Sequence, residues 1–331
     1  MTRPTILLLY GGTGLERDVS LLSAAYIETQ LQSIGIQPLA AELADSGRLL
    51  GRDGSSYLLG ARGVYSQERF ISVDYAIPYI HGFPVETGHV QSQLELCGIP
   101  YFGSAAEPSA VCFNKVTFKL YMQLLGIPTV PAKILLDPTD LPTDAWLSDA
   151  DAVFVKASQQ GSSIGVYRAT TPEQVRDAVA DAFTLSPSVL IEPAVQGREL
   201  EVAVYEYDGR TLASEPGEIR CPRGGFYSHE EKYGANSKAE VLTNAEGLSP
   251  ELSSLARRLS LEIFHKLRLR HLARVDFFLA EDGQLLVNEV NTHPGMSPIS
   301  LFPRLLDAAG HSVARLLAGT LPPTDGGRDI R

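Results

Sequence analysis

The chain has 331 residues, 44% of them hydrophobic and 20% charged, with a formal net charge of -11 at pH 7. That is the composition of an ordinary soluble globular protein with room for two or three domains, and the acidic balance argues against any general affinity for nucleic acid or anionic membrane. No stretch is long enough to span a bilayer, and three widely spaced cysteines, Cys97, Cys112 and Cys221, form no CxxC pair and read as thiols of a reducing cytoplasm.

From the start of the chain, Thr5 to Tyr10 is a short apolar run that meets glycine at once, which suits a buried strand and not a signal peptide. Gly11 to Gly14 is a turn, and Val19, Leu22 and Tyr26 recur at helical spacing. Val73 to Ile80 reads as a later strand ending at His81-Gly82. Loops after the carboxyl ends of such strands bind ligands in open α/β sheets, so Glu16 and His81 fall at a site edge. Gly12-x-Gly14 is only part of a dinucleotide fingerprint, and a tight turn with helix capping explains it as well. Composition turns loop-like from Gly103 to Pro108, which closes a first, doubly wound α/β domain of residues 1–104.

A second unit, residues 105–196, holds a strand ending in a lysine (Val153 to Lys156) and a small-residue loop from Gly161 to Val166. Small side chains let backbone N–H groups approach phosphate oxygens, with Lys156 and Lys115 as cationic partners. There is no GxxxxGK[ST], so a P-loop is excluded. In the third unit, residues 197–331, alternation sends Leu200, Val202 and Val204 into a core and turns Glu199 and Glu201 to an opposite, solvated face. Pro216 to Gly247 is too long for a simple connection and reads as a lid. Ser249-Pro250 opens a helix carrying Leu252, Leu255, Leu259 and Leu267, and the tail after Pro322 is expected to fray.

The most informative stretch runs from Arg274 to Asn291 and reads as a β-hairpin with a two-residue turn at Asp282-Gly283. That turn sets Asp276 opposite Glu289 and Arg274 opposite Asn291, all on one face. Two carboxylates roughly 5 Å apart repel by about 3 kcal/mol at an effective dielectric near 20, so a positive group belongs between them. Oxygen ligands from Asp276, Glu289 and Asn291 suit Mg²⁺, which substrate phosphates usually complete. Arg274 beside them could hold charge developing on a phosphoryl group or an acyl oxyanion.

Strand-lysine, glycine-serine loop, acidic strand, long lid and a D…E-x-N hairpin, in this order, resemble the ATP-grasp superfamily. Within it the chain resembles the D-alanine:D-alanine ligases from Thr5 to about Leu317. The motifs that carry this are Gly11 to Ser20, Gly98 to Gly103, Gln160 to Gly165, Phe226-Tyr227 with Glu231-Lys232-Tyr233, and Asn288 to Met296. One departure stands out: His81-Gly82-Phe83-Pro84-Val85-Glu86-Thr87-Gly88 has Val85 where the family commonly has glycine. If that position took positive φ, a β-branched residue would reshape the first-substrate pocket.

The resemblance implies a three-domain ATP-grasp architecture and ligation of two D-alanines through an acyl phosphate, supplying a peptidoglycan precursor. It implies Glu16 and Ser162 orienting the first D-alanine, with His81 lining that subsite. Lys115 and Lys156 would meet ATP phosphates, Glu192 and Val195 the adenine, and Glu199 the ribose, with Ser163, Phe278 and Asn288 also on the nucleotide side. Asp276, Glu289 and Asn291 would bind two Mg²⁺ or Mn²⁺. Arg274 and the Gly295 backbone would stabilise the oxyanion, and Ser300 and Leu301 would bound the second D-alanine. Lys232 would reach the γ-phosphate, and Tyr233 would meet Glu16 and Ser162. A monovalent cation, a homodimer and a cytoplasmic location are further family expectations. The nearer alternative is a ligase using D-serine or D-lactate as acceptor, against which Tyr233 in place of histidine counts. The remoter one is an NAD-dependent oxidoreductase with Glu42 as ribose acid, which leaves Asp276 and Glu289 unexplained.

Overall fold

The apolar run at the start of the chain forms β1 (Ile6–Gly11), whose residues Ile6 to Leu9 are at most 3% exposed. The computed structural model describes residues 4–44, 47–66, 69–141, 151–221 and 239–322. Strand β1 pairs in parallel with β2 (Leu39–Leu43) and with β7 (Tyr75–Pro78). An antiparallel meander of β3 (Leu49–Gly51), β4 (Ser56–Gly60), β5 (Gly63–Tyr65) and β6 (Phe70–Ser72) extends the sheet beyond β2. The strand expected over Val73 to Ile80 is thus shorter, and its end delivers His81 to the edge of the sheet.

The helix Arg17–Ser33 follows β1 and buries Val19 of the expected stripe, with Tyr26 partly buried against the core, but it does not bury Leu22. Leu22 is 60% exposed, while Ser20 and Ser23 are buried beside Ala24, Ile27 and Leu31. The serines hold inward positions because both bond to His81, which a leucine could not do. The segment expected to be a loop from Gly103 to Pro108 instead enters the helix Ala106–Phe113, with Pro108 in the first turn where a missing N–H is harmless.

A second sheet has the order β10 (Val166–Ala169), β9 (Val153–Ala157), β11 (Val189–Pro193), β8 (Lys133–Leu135), all antiparallel. The helix Pro172–Leu185 covers one face through Val175, Ala178, Val179 and Ala182. The third sheet runs β15 (Glu240–Leu242), β14 (Gly217–Arg220), β12 (Gly197–Tyr207), β16 (Leu272–Ala280), β17 (Leu285–Asn291), with β13 (Arg210–Ala213) also on β12. On one side Leu200, Val202, Val204 and Val275 pack against the helix Pro250–Lys266, whose cap Ser249 accepts from the Leu252 N–H at 3.2 Å. Full burial of such a side chain is worth roughly 1.5–3 kcal/mol.

On the other side Ala203, Tyr205 and Leu272 share one core with Ile6, Leu8, Tyr75 and Ile77 of the first sheet, through Phe302, Leu305 and Leu316. That shared core fixes the loops after β1 and β7 against the polar end of β16 and β17. The expected lid is bounded by strands: β14 and β15 pair with Ile219 opposite Val241. Phe226, Tyr227, Glu231, Lys232 and Tyr233 lie outside the described residues. Among the described residues no helix is long and apolar enough to cross a membrane.

Candidate active site

The hairpin of β16 and β17 brings the expected acids together, by a route different from the expected one. The turn holds three residues, Glu281 to Gly283: Ala280 N–H bonds to Gln284 O at 2.9 Å, and Gly283 takes the left-handed conformation (φ 85°). Leu279 therefore pairs with Leu285 and Phe277 with Val287, one step off the two-residue register. An irregularity after Asp276, with Asn288 as the extra residue, restores Asp276 opposite Glu289 and Arg274 opposite Asn291. On the other flank β12 sets Glu201 opposite Asp276, so three carboxylates lie in a row across three strands.

Arg274 neutralises part of that row. Its Nε is 2.7 Å from Asp276 Oδ1 and 3.0 Å from Glu201 Oε2, and it donates from the guanidinium to Asp276 Oδ2 at 2.8 Å. Burial opposes its charge, but Asp276 and Glu201 outweigh that and hold its pKa well above the ordinary value. Asn291 Nδ2 also donates to Asp276 Oδ2, at 3.0 Å. Glu201 is 6% exposed, so the expectation of a solvated acid is wrong. Sharing a face with Glu199 was the available signal, since that face carries the site.

The lysines approach from the second sheet and from the helix Lys115–Leu125, whose first amides are capped by Asn114 Oδ1. Lys115 Nζ donates to Gln160 O at 2.7 Å and lies 3.4 Å from Glu289 Oε2. Lys156 on β9 is 2.6 Å from Glu192 Oε2, 3.4 Å from Asn288 Oδ1 and 5.9 Å from the Phe278 ring centre. Sequence reasoning missed Lys119, one helical turn after Lys115, which is 2.7 Å from Glu192 Oε1 and donates to Val130 O at 2.6 Å. Burial alone would raise the Glu192 pKa, but Lys156 and Lys119 outweigh it and keep the carboxyl below its usual range. Glu199 is half-buried opposite Phe278, and Val195 is half-buried in the connection between β11 and β12.

At the other end, Ser162 donates to Glu16 Oε1 across 146 positions of sequence. Ser162 and Ser163 both have positive φ (50° and 60°), a strained pair of the kind found where a loop must present specific groups. Gly82 and Gly161 approach so closely that an added Cβ would lie 2.5 and 2.8 Å from Glu16 Oε2. Met296 N–H donates to Ser23 Oγ at 3.2 Å, and the same hydroxyl shares a hydrogen bond with His81 Nε2 at 2.8 Å. Burial and the nearby Arg274 lower the His81 pKa to about 4, so the ring is neutral. Glu86 accepts from Gly82 N–H at 2.7 Å, and burial with the Glu16 charge raises its pKa to about 8.

Val85 is fully buried among Leu7, Leu9 and Ile80 and is not among the residues with positive φ. The expected reshaping of the pocket has no basis there, because the side chain points into the core of the first sheet.

One cavity of about 470 Å³ joins these parts and is lined by Glu16, His81 and Ser162 together with Lys115, Glu201, Arg274, Glu289 and Asn291. Gly295, Ser300 and Leu301 line it further, Ser300 opening the helix Leu301–Ala308. Lys156, Ser163, Glu192, Val195, Glu199, Asp276, Phe278 and Asn288 are not in its wall; Asp276 is bonded to Arg274, which is, and Lys156 links Glu192, Phe278 and Asn288 into a second group. Lys232 and Tyr233 lie outside the described residues. The dinucleotide alternative loses its acid, since Glu42 is paired with Arg17.

Among the described residues no group of three His, Cys, Asp or Glu side chains is poised around a metal position. The donor set at Asp276, Glu289 and Asn291 is oxygen-only with two carboxylates, which fits Mg²⁺ bound together with phosphates and not an all-protein cage.

Lysines from the second sheet and the helix beside it that meet polar side chains of the third sheet, Lys156 at Asn288 and Lys115 at Glu289, form the arrangement of an ATP-grasp enzyme. The family described as D-ala D-ala ligase C-terminus matches residues 122–321. A D-alanine--D-alanine ligase of Shewanella piezotolerans is 45% identical over 336 residues, 98% of this chain and 100% of that protein. One of Vibrio cholerae is 43% identical over 323 residues, 96% of this chain and 98% of its own. The crystal structure of D-alanyl-alanine synthetase A from Vibrio cholerae superposes with a TM-score of 0.89 at 42% identity, covering 97% of this chain and 98% of that one. A D-Ala:D-Ser ligase from Enterococcus faecalis, 23% identical, shares the fold with a TM-score of 0.84, covering 96% and 98%. The chain belongs to the D-alanine--D-alanine ligase family, and its mixed α/β fold is the ATP-grasp fold expected from the sequence.

Proposed function

We propose that the protein joins two D-alanine molecules into D-alanyl-D-alanine with conversion of ATP to ADP and phosphate. A carboxylate is resistant to amines until one oxygen becomes a leaving group. The first D-alanine carboxylate therefore attacks the γ-phosphorus, forming an acyl phosphate and releasing ADP. The amine of the second then attacks the acyl carbon, and phosphate departs from the tetrahedral intermediate. The single observation that carries this reading is one cavity lined by Glu16, Ser162 and His81 together with Lys115, Arg274 and Glu289.

In this reading Glu16, held by Ser162, receives the ammonium of the first D-alanine, and neutral His81 lines that subsite without adding charge. Lys115 and Lys156 meet the phosphates; Glu192, Val195, Glu199, Ser163, Phe278 and Asn288 hold the rest of the nucleotide. Arg274 and the Gly295 backbone stabilise the oxyanion, Ser300 and Leu301 bound the second D-alanine, and Lys232 and Tyr233 complete closure over the reactants. Asp276, Glu289 and Asn291 would hold two Mg²⁺ or Mn²⁺, which supply charge neutralisation at the phosphates when bound. The reading divides the chain into residues 1–104, 105–196 and 197–331, in keeping with its three sheets. It further takes the protein to be a cytoplasmic homodimer, as the family suggests.

Incubation with Mg²⁺-ATP and D-alanine, L-alanine or neither tests it, reading phosphate and dipeptide together. Phosphate release that requires D-alanine, matched by an equal amount of D-alanyl-D-alanine, is expected. ATP turnover indifferent to D-alanine would refute the assignment.

A further inference from the structure

Asp276 is one of the two acids proposed to hold the metal, and it is also tied to a cation of the protein itself. Arg274 bonds to both its oxygens, at 2.7 and 2.8 Å, and Asn291 adds a third bond at 3.0 Å. A divalent cation at Asp276 needs oxygens that face the metal and a guanidinium that has moved off. Arg274 is buried, with only 16% of its side chain exposed, and cannot be left without a counter-charge when it moves.

Glu201 answers that need. It stands opposite Asp276 on the neighbouring strand, its side chain is 8% exposed, and its Oε2 is already 3.0 Å from the same Nε that bonds Asp276. We propose that Glu201 is a positioning residue for Arg274, receiving the guanidinium when Asp276 turns its oxygens to a divalent cation. The proposal rests on the metal placement at Asp276 given above. The motion is small, because the shared Nε is within bonding distance of both acids. It frees the terminal guanidinium nitrogen from Asp276 while keeping Arg274 on the cavity wall, where the anionic groups of the reaction gather. Repulsion between the incoming cation and Arg274 drives the shift, and the row of Glu201, Asp276 and Glu289 sets its direction.

Mn²⁺ serves as the probe, titrated against the full-length protein with saturating ADP and read by the electron paramagnetic resonance of free Mn²⁺. Glu201→Gln keeps shape and loses charge, and weakens Mn²⁺ binding on the order of tenfold, the usual scale for a group supporting a metal ligand. Glu201→Asp, which keeps the charge, restores much of the wild-type affinity. The effect vanishes when Arg274 is absent, so Glu201→Gln/Arg274→Gln binds Mn²⁺ as Arg274→Gln does. A Glu201→Gln protein with wild-type Mn²⁺ affinity overturns the proposal. An equal loss in the Arg274→Gln background does so too, since Glu201 would then act through its field and not through Arg274. Asp276→Asn separates this from the parent reading: undiminished Mn²⁺ binding there overturns the metal placement itself, and this proposal with it.

Discussion

Glu192→Gln removes the negative charge that separates Lys119 from Lys156. Both Nζ atoms lie on its carboxylate, at 2.7 and 2.6 Å, and the three side chains are 10%, 11% and 4% exposed. Without that charge two ammonium groups face each other about 5 Å apart, a repulsion of roughly 3 kcal/mol at an effective dielectric near 20. Charge-assisted bonds to both lysines are lost as well, and removing one partner from a buried ion pair typically costs about 3–5 kcal/mol. Lys119→Met should cost less, because it leaves a neutral Glu192–Lys156 pair. Its main penalty is the Val130 carbonyl, which loses its 2.6 Å donor, a matter of about 1–3 kcal/mol. Urea unfolding followed by far-ultraviolet circular dichroism, near neutral pH and without nucleotide, measures both variants. The expected order is Glu192→Gln well below Lys119→Met. A Glu192→Gln protein within about 1 kcal/mol of wild type, or a larger loss for Lys119→Met, would refute the view of Glu192 as the counter-charge of two lysines.

Gly82→Ala places a Cβ 2.5 Å from Glu16 Oε2 at a φ of +67°, so D-alanine-dependent phosphate release should fall on the order of a hundredfold; wild-type kinetics would show that Glu16 needs no such close approach. Ser162→Ala removes the donor to Glu16 and should raise the KM for D-alanine, with Glu16→Gln adding little on top; full additivity in the double mutant would separate the two residues. The buried histidines make stability sensitive to acid. His81 and His271 have pKa values lowered by burial to about 4 and His293 to about 3, whereas all three would titrate near 6.5 when unfolded. The unfolded chain therefore binds more protons below pH 6.5, and stability is lost as pH falls, by roughly 2 kcal/mol per histidine at pH 5. Glu86 acts in the opposite sense: its raised pKa, about 8 against 4.5, means the folded state holds the proton longer, so stability declines as pH rises through that window. Glu86→Gln should abolish this decline, and an unchanged pH profile in its melting temperatures would count against a buried, neutral Glu86.

Local signals made the outline of the fold readable from sequence, and they failed where a side chain had a distant partner. Alternation placed Leu200, Val202 and Val204 correctly, and Ser249 was a visible cap, because each depends on neighbours in the chain or on burial alone. Leu22 was misjudged because His81, 58 positions beyond the neighbouring Ser23, bonds Ser23 and turns it inward instead. Glu201 looked like a surface acid until β16 set Arg274 beside it. Lys119 could have been found at one-turn spacing from Lys115, but its partner Glu192 belongs to a strand 73 positions later. Val85 is the converse case: a motif departure suggested strain, and the backbone shows an ordinary core residue.

The hairpin shows why a register can be right for a reason the sequence hides. A three-residue turn and the extra residue Asn288 each shift the pairing by one, and the two shifts cancel before Asp276 meets Glu289. The second irregularity does more than restore the count. In a regular strand successive side chains point to opposite faces, so Asn288 and Glu289 could not both turn toward the lysines of the second unit. At a bulge they can: Asn288 Oδ1 lies 3.4 Å from Lys156 and Glu289 Oε2 lies 3.4 Å from Lys115. Deleting Asn288 should therefore leave a regular ladder, since Phe277 opposite Val287 and Asp276 opposite Glu289 are then consecutive pairs. The deletion variant should unfold in urea within about 2 kcal/mol of wild type, because the ladder and both cores persist. Its KM for ATP should nevertheless rise several-fold, as Lys156 loses the amide that joins it to the acidic strand. Unfolding at low urea would mean that the bulge is needed for the fold, and an unchanged KM for ATP would mean that Asn288 does not serve the nucleotide.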